Sequence, residues 1–121
     1  KEIGDLISRT DVLLFGIGTA MRMADQRHIA DDVRKKLVDN HAVGEALGQY
    51  CDMDGKLIYS TNNIGLSLPD VAKVPNVIAV AGGQEKASAI IGVMRACQKG
   101  ILIIDEQAAE GMRQLLQISA L

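Results

Sequence analysis

Three short apolar runs punctuate the chain: Val12–Phe15 (VLLF), Val77–Val80 (VIAV) and Ile101–Ile104 (ILII). Each opens on a β-branched residue, closes at a glycine or an acid, and leads into a helix-like pattern. Continuous rather than alternating hydrophobicity predicts parallel strands buried on both faces of a βαβ layer. Between the second and third runs, Ala87, Ile90, Ile91, Met94 and Cys97 recur at helical spacing and make one apolar face. Gly100, just after Lys99, is a helix stop. Beyond the third run, Asp105 and Glu106 suit a helix N-terminus by capping and by dipole. Ala108, Ala109, Met112, Leu115 and Leu116 continue that helix's apolar face.

The middle of the chain is patterned differently. Ile29, Val33 and Leu37 lie four apart around the charged stretch ADDVRKKL, which predicts an exposed helix. Asp54-Gly55 before Lys56–Ser60 (KLIYS) is a hairpin turn. Its partner strand is Ala42–Cys51 (AVGEALGQYC); propensity alone would allow a helix there, but Gly44 and Gly48 weaken it. Ser67-Leu68-Pro69-Asp70 reads as a capped helix start that closes before Pro75. No repeat, low-complexity tract or linker interrupts the pattern. The expectation is one α/β unit with a β-hairpin inserted after its first strand.

Composition narrows the picture. A chain of 121 residues is one domain or a piece of one, and can bury a core without metal or disulfide staples. With no Trp, one Phe and two Tyr, the core is aliphatic, and twelve glycines point to close backbone packing. A net charge of −2 with scattered Lys and Arg argues against this segment gripping nucleic acid by itself. Cys51 and Cys97 lack CxxC spacing and read as small buried hydrophobes of a reducing cytosol, so a cytoplasmic protein is expected. No run reaches the ~18 apolar residues of a membrane span, and no signal peptide is evident. The opening KEIGDLISRTDV lacks a Met and reads as a piece of something longer.

Candidate chemistry gathers where strands end in glycine. In open parallel sheets ligands bind beyond the carboxyl ends of the strands. Gly16-Ile17-Gly18 follows the first run and Gly82-Gly83 the second, and glycine lets backbone approach a ligand closely. GIGTAM carries Met21 where a dinucleotide fingerprint needs its third glycine, so NAD binding would rest on GxG alone. In GGQEK, Lys86 falls at the start of the next helix, where a cation opposes the dipole unless an anion offsets it. This is no Walker A loop, because Ala87 follows the lysine. The segment holds a phosphate, or it is only a tight turn with an exposed lysine. Glu45, between Val43 and Leu47, is a buried acid in need of a partner: sugar hydroxyls, or neighbouring backbone. Arg27 and His28, with Arg22 nearby, form a small basic patch suited to phosphate, or a solvated helix end. His28 and His41 lack metal-ligand spacing. Asp52-x-Asp54-Gly55 lacks the glutamate of a calcium loop, with Asn63 in its place. Ser60, Thr61 and Ser67 lack the GxSxG elbow. The residues favour ligand binding over catalysis, with no metal and no cofactor expected.

The blocks GIGTAMRMA, AVGEALGQYCDMDGKL, IGLSLPDV, VIAVAGGQEKASAI and ILIIDEQAA, in this order, resemble the C-terminal effector domain of SorC-type bacterial transcriptional regulators. The resemblance covers nearly the whole chain. It implies a Rossmann-like α/β domain, related to ribose-5-phosphate isomerase and glucosamine-6-phosphate deaminase, that binds a phosphorylated sugar without transforming it. It implies a repressor that is a homo-oligomer, a dimer or tetramer, and that binds operator DNA through a helix-turn-helix domain outside this chain. In the glycolytic branch of the family the implied effector is fructose-1,6-bisphosphate. Carried over by motif, Lys86 contacts a sugar phosphate together with the Gly82–Gly83 turn, and Glu45 contacts sugar hydroxyls. The basic residue after the Gly16–Gly18 loop falls on Arg27, with Gln26 beside it. The family's domain is longer than this chain, so residues 1–121 correspond to its C-terminal portion. The alternative is a sugar-phosphate isomerase or deaminase on the same fold, with Glu45 as its one plausible base.

Overall fold

In the computed structural model, which describes residues 11–61 and 67–117, the three apolar runs form one parallel sheet. Strands β1 (Val12–Gly16), β6 (Asn76–Ala81) and β7 (Ile101–Ile104) lie side by side in that order. Phe15 sits opposite Ala79, and Ile78 opposite Ile101. Helix α3 (Ala87–Cys97) joins β6 to β7, and α4 (Glu106–Leu116) follows β7. On the covered face, Phe15, Val77 and Ala79 share a core with Ala89, Ile90 and Val93 of α3. Leu68 and Val71 of a 3-10 segment, Leu68–Lys73, join them. Each fully buried Val, Leu or Ile there stabilises the fold by about 1.5–3 kcal/mol.

The expectation of strands buried on both faces is corrected. Val12, Leu14, Val80, Ile101 and Ile103 are between 41% and 65% exposed. Side chains alternate along a strand, and among the described residues every covering element packs on one face only. The apolar runs are continuous because both faces are apolar, yet here one face is bare.

The insertion after β1 is also larger than one hairpin. It holds β2 (Gly18–Thr19), α1 (Ala20–Gln26), α2 (Asp31–Asp39), β3 (Gly44–Ala46), β4 (Gln49–Cys51) and β5 (Leu57–Ser60). The strands form a second, antiparallel sheet in the order β2-β3-β4-β5. The segment Ala42–Cys51, expected as one strand, folds back on itself. Leu47 and Gly48 both take positive φ, 54° and 81°, the geometry of a two-residue hairpin turn. The Asp52–Gly55 turn does join β4 to β5, with the Asp52 carboxylate accepting from the N–H of Asp54 and of Lys56. This sheet lies directly on α3. A Cβ at Gly44 would sit 2.8 Å from the Ala89 carbonyl oxygen, and one at Gly92 would strike the carbonyl of Asp52.

The helix signals hold with small shifts. Ser67 and Asp70 form a capping box, but the segment they open is 3-10. The left-handed residue that ends α3 is Gln98, two residues before the expected Gly100. Residues 1–10, Asn63 and residues 64–66 of the IGLSLPDV block lie outside the described residues.

Candidate functional site

A cleft of about 480 Å³ opens at the carboxyl ends of β1 and β6, where the two sheets meet. Six of the eight residues singled out from the sequence line it: Gly16, Gly18, Gln26, Arg27, Glu45 and Lys86. Arg22 lines it as well. Each arrives on a different piece of the fold. Gly16 ends β1, and Gly18 opens β2 directly opposite Glu45 of β3. Arg22 and Gln26 lie on α1, Arg27 caps its C-terminus, and Lys86 is the residue from which α3 starts.

Glu45 is the centre of this arrangement. It is 4% exposed. Its Oε2 accepts the Gly48 N–H at 2.7 Å and meets Arg27 Nη2 at 3.0 Å. A carboxylate out of water needs such donors, because burying it unpaired costs several kcal/mol or more. The tight turn at Leu47–Gly48 is what aims the Gly48 N–H back at it. Oε1 takes none of these bonds, and it lies 4.0 Å from the point where a Cβ on Gly18 would stand. Glu45 lines the cleft beside Gly18.

The cations are unevenly committed. Arg27 serves Glu45 and lies 3.4 Å from the Thr61 hydroxyl, which in turn donates to the Gly48 carbonyl. No carboxylate among the described residues pairs with Arg22 or Lys86. Three cations against one carboxylate leave the cleft formally two charges positive. That field favours an anion.

Gly82 and Gly83 lie outside the cleft lining. The Gly83 N–H, expected to be open to an anion, donates to both oxygens of the Asp105 carboxylate at 3.1 Å. A Cβ on Gly82 would lie 2.9 Å from Asp105 Oδ2. Asp105 is the N-cap of α4, accepting the Ala108 N–H at 2.8 Å. These two backbone donors, Ala108 first, hold its carboxyl below the usual value. The side chain that caps one helix therefore occupies the turn at the start of another.

Burial pushes the Cys51 thiol up to about 12 and the Cys97 thiol to about 11, so both are inert protonated core groups. Among the described residues no cluster of three His, Cys, Asp or Glu is arranged for a metal, and no helix is long and apolar enough to cross a membrane. Sequence reasoning mentioned Arg22 only as a neighbour and passed over Tyr50, directly opposite Glu45 on β4. Two-residue periodicity pairs them only once the turn between them is known.

Comparison with known proteins shows the family and the fold. Residues 1–114 match the family described as "Putative sugar-binding domain". The chain is 38% identical over 110 residues to the central glycolytic genes regulator of Bacillus subtilis, covering 91% of this chain and 32% of that protein. It is 39% identical, over the same shares, to the protein of that name in Priestia megaterium. The solved structure of "the putative SorC family transcriptional regulator from Enterococcus faecalis" is 38% identical, with a TM-score of 0.82 over 92% of this chain and 45% of that one. A transcriptional regulator from Streptococcus pneumoniae is 28% identical, with a TM-score of 0.80 over 93% and 46%. The chain thus spans about a third of the length of these curated relatives and under half that of the solved structures.

Proposed function

This chain belongs to the sugar-binding domain family of SorC-type transcriptional regulators, and from that premise we propose that its cleft holds a phosphorylated sugar whose binding controls a repressor. The observation that carries the reading is the pairing of unlike groups in one cleft. Lys86 and Arg22 carry charge with no carboxylate partner among the described residues, and Glu45 presents a buried carboxylate oxygen beside Gly18. A phosphate suits the first and vicinal hydroxyls suit the second. Fructose-1,6-bisphosphate is the effector we assign, from the two positive charges and from the glycolytic regulators it resembles. Gly16 supports close approach: a Cβ there would meet nothing nearer than the Val80 carbonyl oxygen at 3.9 Å, so packing alone does not require glycine.

The reading extends to the whole protein. The bare face of the parallel sheet supports residues 1–121 as the C-terminal portion of a larger effector domain, because parallel sheets are stable when both faces are covered. Operator DNA is bound by a separate helix-turn-helix domain of a cytoplasmic homo-oligomer, a dimer or tetramer. The sugar phosphate shifts that oligomer only as far as its affinities for two states differ. Binding without turnover is supported by the state of Glu45: its Oε2 is already occupied by Arg27 and Gly48, and no histidine lines the cleft to assist a base. In the full-length protein, Lys86→Ala weakens fructose-1,6-bisphosphate binding by ~2 kcal/mol, roughly 30-fold, as loss of a charge-assisted contact does. Calorimetric titration reads this directly, and an unchanged affinity removes Lys86 from the site.

A further inference from the structure

Tyr50 is the one buried side chain among the described residues whose polar atom lacks a hydrogen bond. It is fully buried, packed with Ala20, Ala24 and Leu37, and its ring lies 6.3 Å from that of Tyr59 in a tilted pair. A buried hydroxyl without a partner is costly, and Phe in its place would fill nearly the same volume. The position of this hydroxyl is specific. Tyr50 stands directly opposite Glu45 across the β3–β4 pair, on the same face of the sheet. The Arg27 guanidinium and the Glu45 carboxylate are also its electrostatic surroundings. Burial raises the phenol above its usual pKa first, Arg27 opposes that rise by its charge and by approaching the phenol oxygen as a donor, and Glu45 adds to the rise. The phenol is therefore a protonated donor with nothing to donate to, set against an ion pair that lines the ligand cleft.

That ion pair is the part of the cleft a phosphate disturbs. Arg27 is the outer partner, its side chain 34% exposed against 5% for Glu45. An anion in the cleft competes for the guanidinium with an acceptor of higher charge. If Arg27 turns to it, Glu45 Oε2 keeps only the Gly48 N–H and would be left buried and underpaired. The spare donor across the strand answers that loss.

Resting on the sugar-phosphate reading of the cleft, we infer that Tyr50 is a positioning residue: its O–H takes the place of Arg27 on Glu45 when the ligand's phosphate draws Arg27 away, keeping the carboxylate charged and aimed at the sugar hydroxyls. The hydroxyl that donates to no acceptor in this structure is then the donor Glu45 uses once the ligand takes Arg27. No covalent chemistry is involved, only an exchange of hydrogen-bond partners.

The test uses the full-length regulator with fructose-1,6-bisphosphate as probe, in wild type, Lys86→Ala and Tyr50→Phe. Tyr50→Phe leaves the melting temperature of the unliganded protein nearly unchanged, because the hydroxyl it removes donates to no acceptor there. It weakens the bisphosphate about tenfold, the lower end for a hydrogen bond to a charged group. The ultraviolet difference spectrum supplies a readout that packing alone does not move. In wild type the ligand shifts tyrosine absorbance to the red as the phenol begins to donate to a carboxylate, and in Tyr50→Phe that component disappears. Wild-type affinity and an unaltered ligand spectrum in Tyr50→Phe overturn the role of Tyr50 and leave the cleft's function standing. A wild-type protein that binds neither fructose-1,6-bisphosphate nor inorganic phosphate overturns the cleft's function and this role together.

Discussion

Two glycine turns leave neighbouring strands of one parallel sheet, Gly16–Gly18 after β1 and Gly82–Gly83 after β6, and they meet opposite surroundings. The first opens into the cleft, with free space above Gly16 and a carboxylate oxygen of Glu45 beside Gly18. The second is closed by Asp105, whose carboxylate takes the Gly83 N–H and crowds Gly82. Both have the local form that suits an anion, glycine at the carboxyl end of a parallel strand. The difference lies in what the rest of the chain brings to each. After β1 the chain crosses to a second sheet and leaves a gap. After β6 it returns through α3 and β7, and the cap of α4 lands on the turn. A glycine motif reports where the backbone is free to bend; whether its donors are free is set by residues far along the chain.

Substitutions on each side of this comparison separate the two turns. The largest effect is expected at Glu45. Glu45→Ala removes the acceptor of Gly48 and strands the Arg27 charge, and Arg27 can recover part of its solvation because it is partly exposed. Denaturant unfolding should therefore show a loss of about 2–3 kcal/mol, below the full cost of breaking a buried pair. A loss near zero would mean that the pair is not the keystone of the cleft.

Gly18→Ala comes next. Its Cβ would stand 2.7 Å from Met23 Cγ, so the flexible Met23 side chain must move aside, and up to about 1 kcal/mol of stability is lost together with ligand affinity.

On the other turn, Asp105→Ala lowers the melting temperature at neutral pH while leaving bisphosphate affinity unchanged, since Asp105 is outside the cleft. The sign with pH follows from its depressed folded pKa. Its contribution is whole above the ordinary value of 3.8 and is lost as pH falls through the lower folded value. The melting difference between wild type and Asp105→Ala should therefore narrow in acid. A difference that persists unchanged below that range would assign the effect to something other than the carboxylate. Altered ligand affinity in this variant would bring the second turn into the site.

The smallest structural effect belongs to Gly16→Ala, whose new methyl meets nothing closer than 3.9 Å. Stability stays within about 0.5 kcal/mol of wild type, and any drop in bisphosphate affinity then measures how closely ligand approaches β1.

Much of the fold was legible because its signals are local. The apolar runs became β1, β6 and β7; the spacing of Ala87 to Cys97 became α3 over those same residues; Asp105 caps α4. Helix α1 was not anticipated: it is seven residues long and its fully buried positions are only Ala20 and Ala24, too small a stripe to read. The β3–β4 turn was missed because Leu47 occupies a left-handed position that a bulky residue rarely takes, so no turn signature marks it. In the candidate site, residue types and spacing singled out Glu45, Arg27 and Lys86 with their alternatives still open, the family resemblance favoured the ligand reading, and the fold brings all three to one cleft. That Glu45 and Arg27 bond each other was not readable, since the whole of helix α2 and the turn after it lie between them in the chain.

The chain's own pattern determined the three parallel strands, the helices with a broad apolar face and where the core lies on α3, because periodicity, capping and charge act over a few residues. The tertiary structure alone decided that the Gly16–Gly18 turn opens and the Gly82–Gly83 turn is filled, that one sheet face is bare, and that Tyr50 waits beside Glu45. A donor is free or taken according to which acceptor lies within hydrogen-bond reach, and that acceptor arrives from another part of the sequence only when the chain has folded.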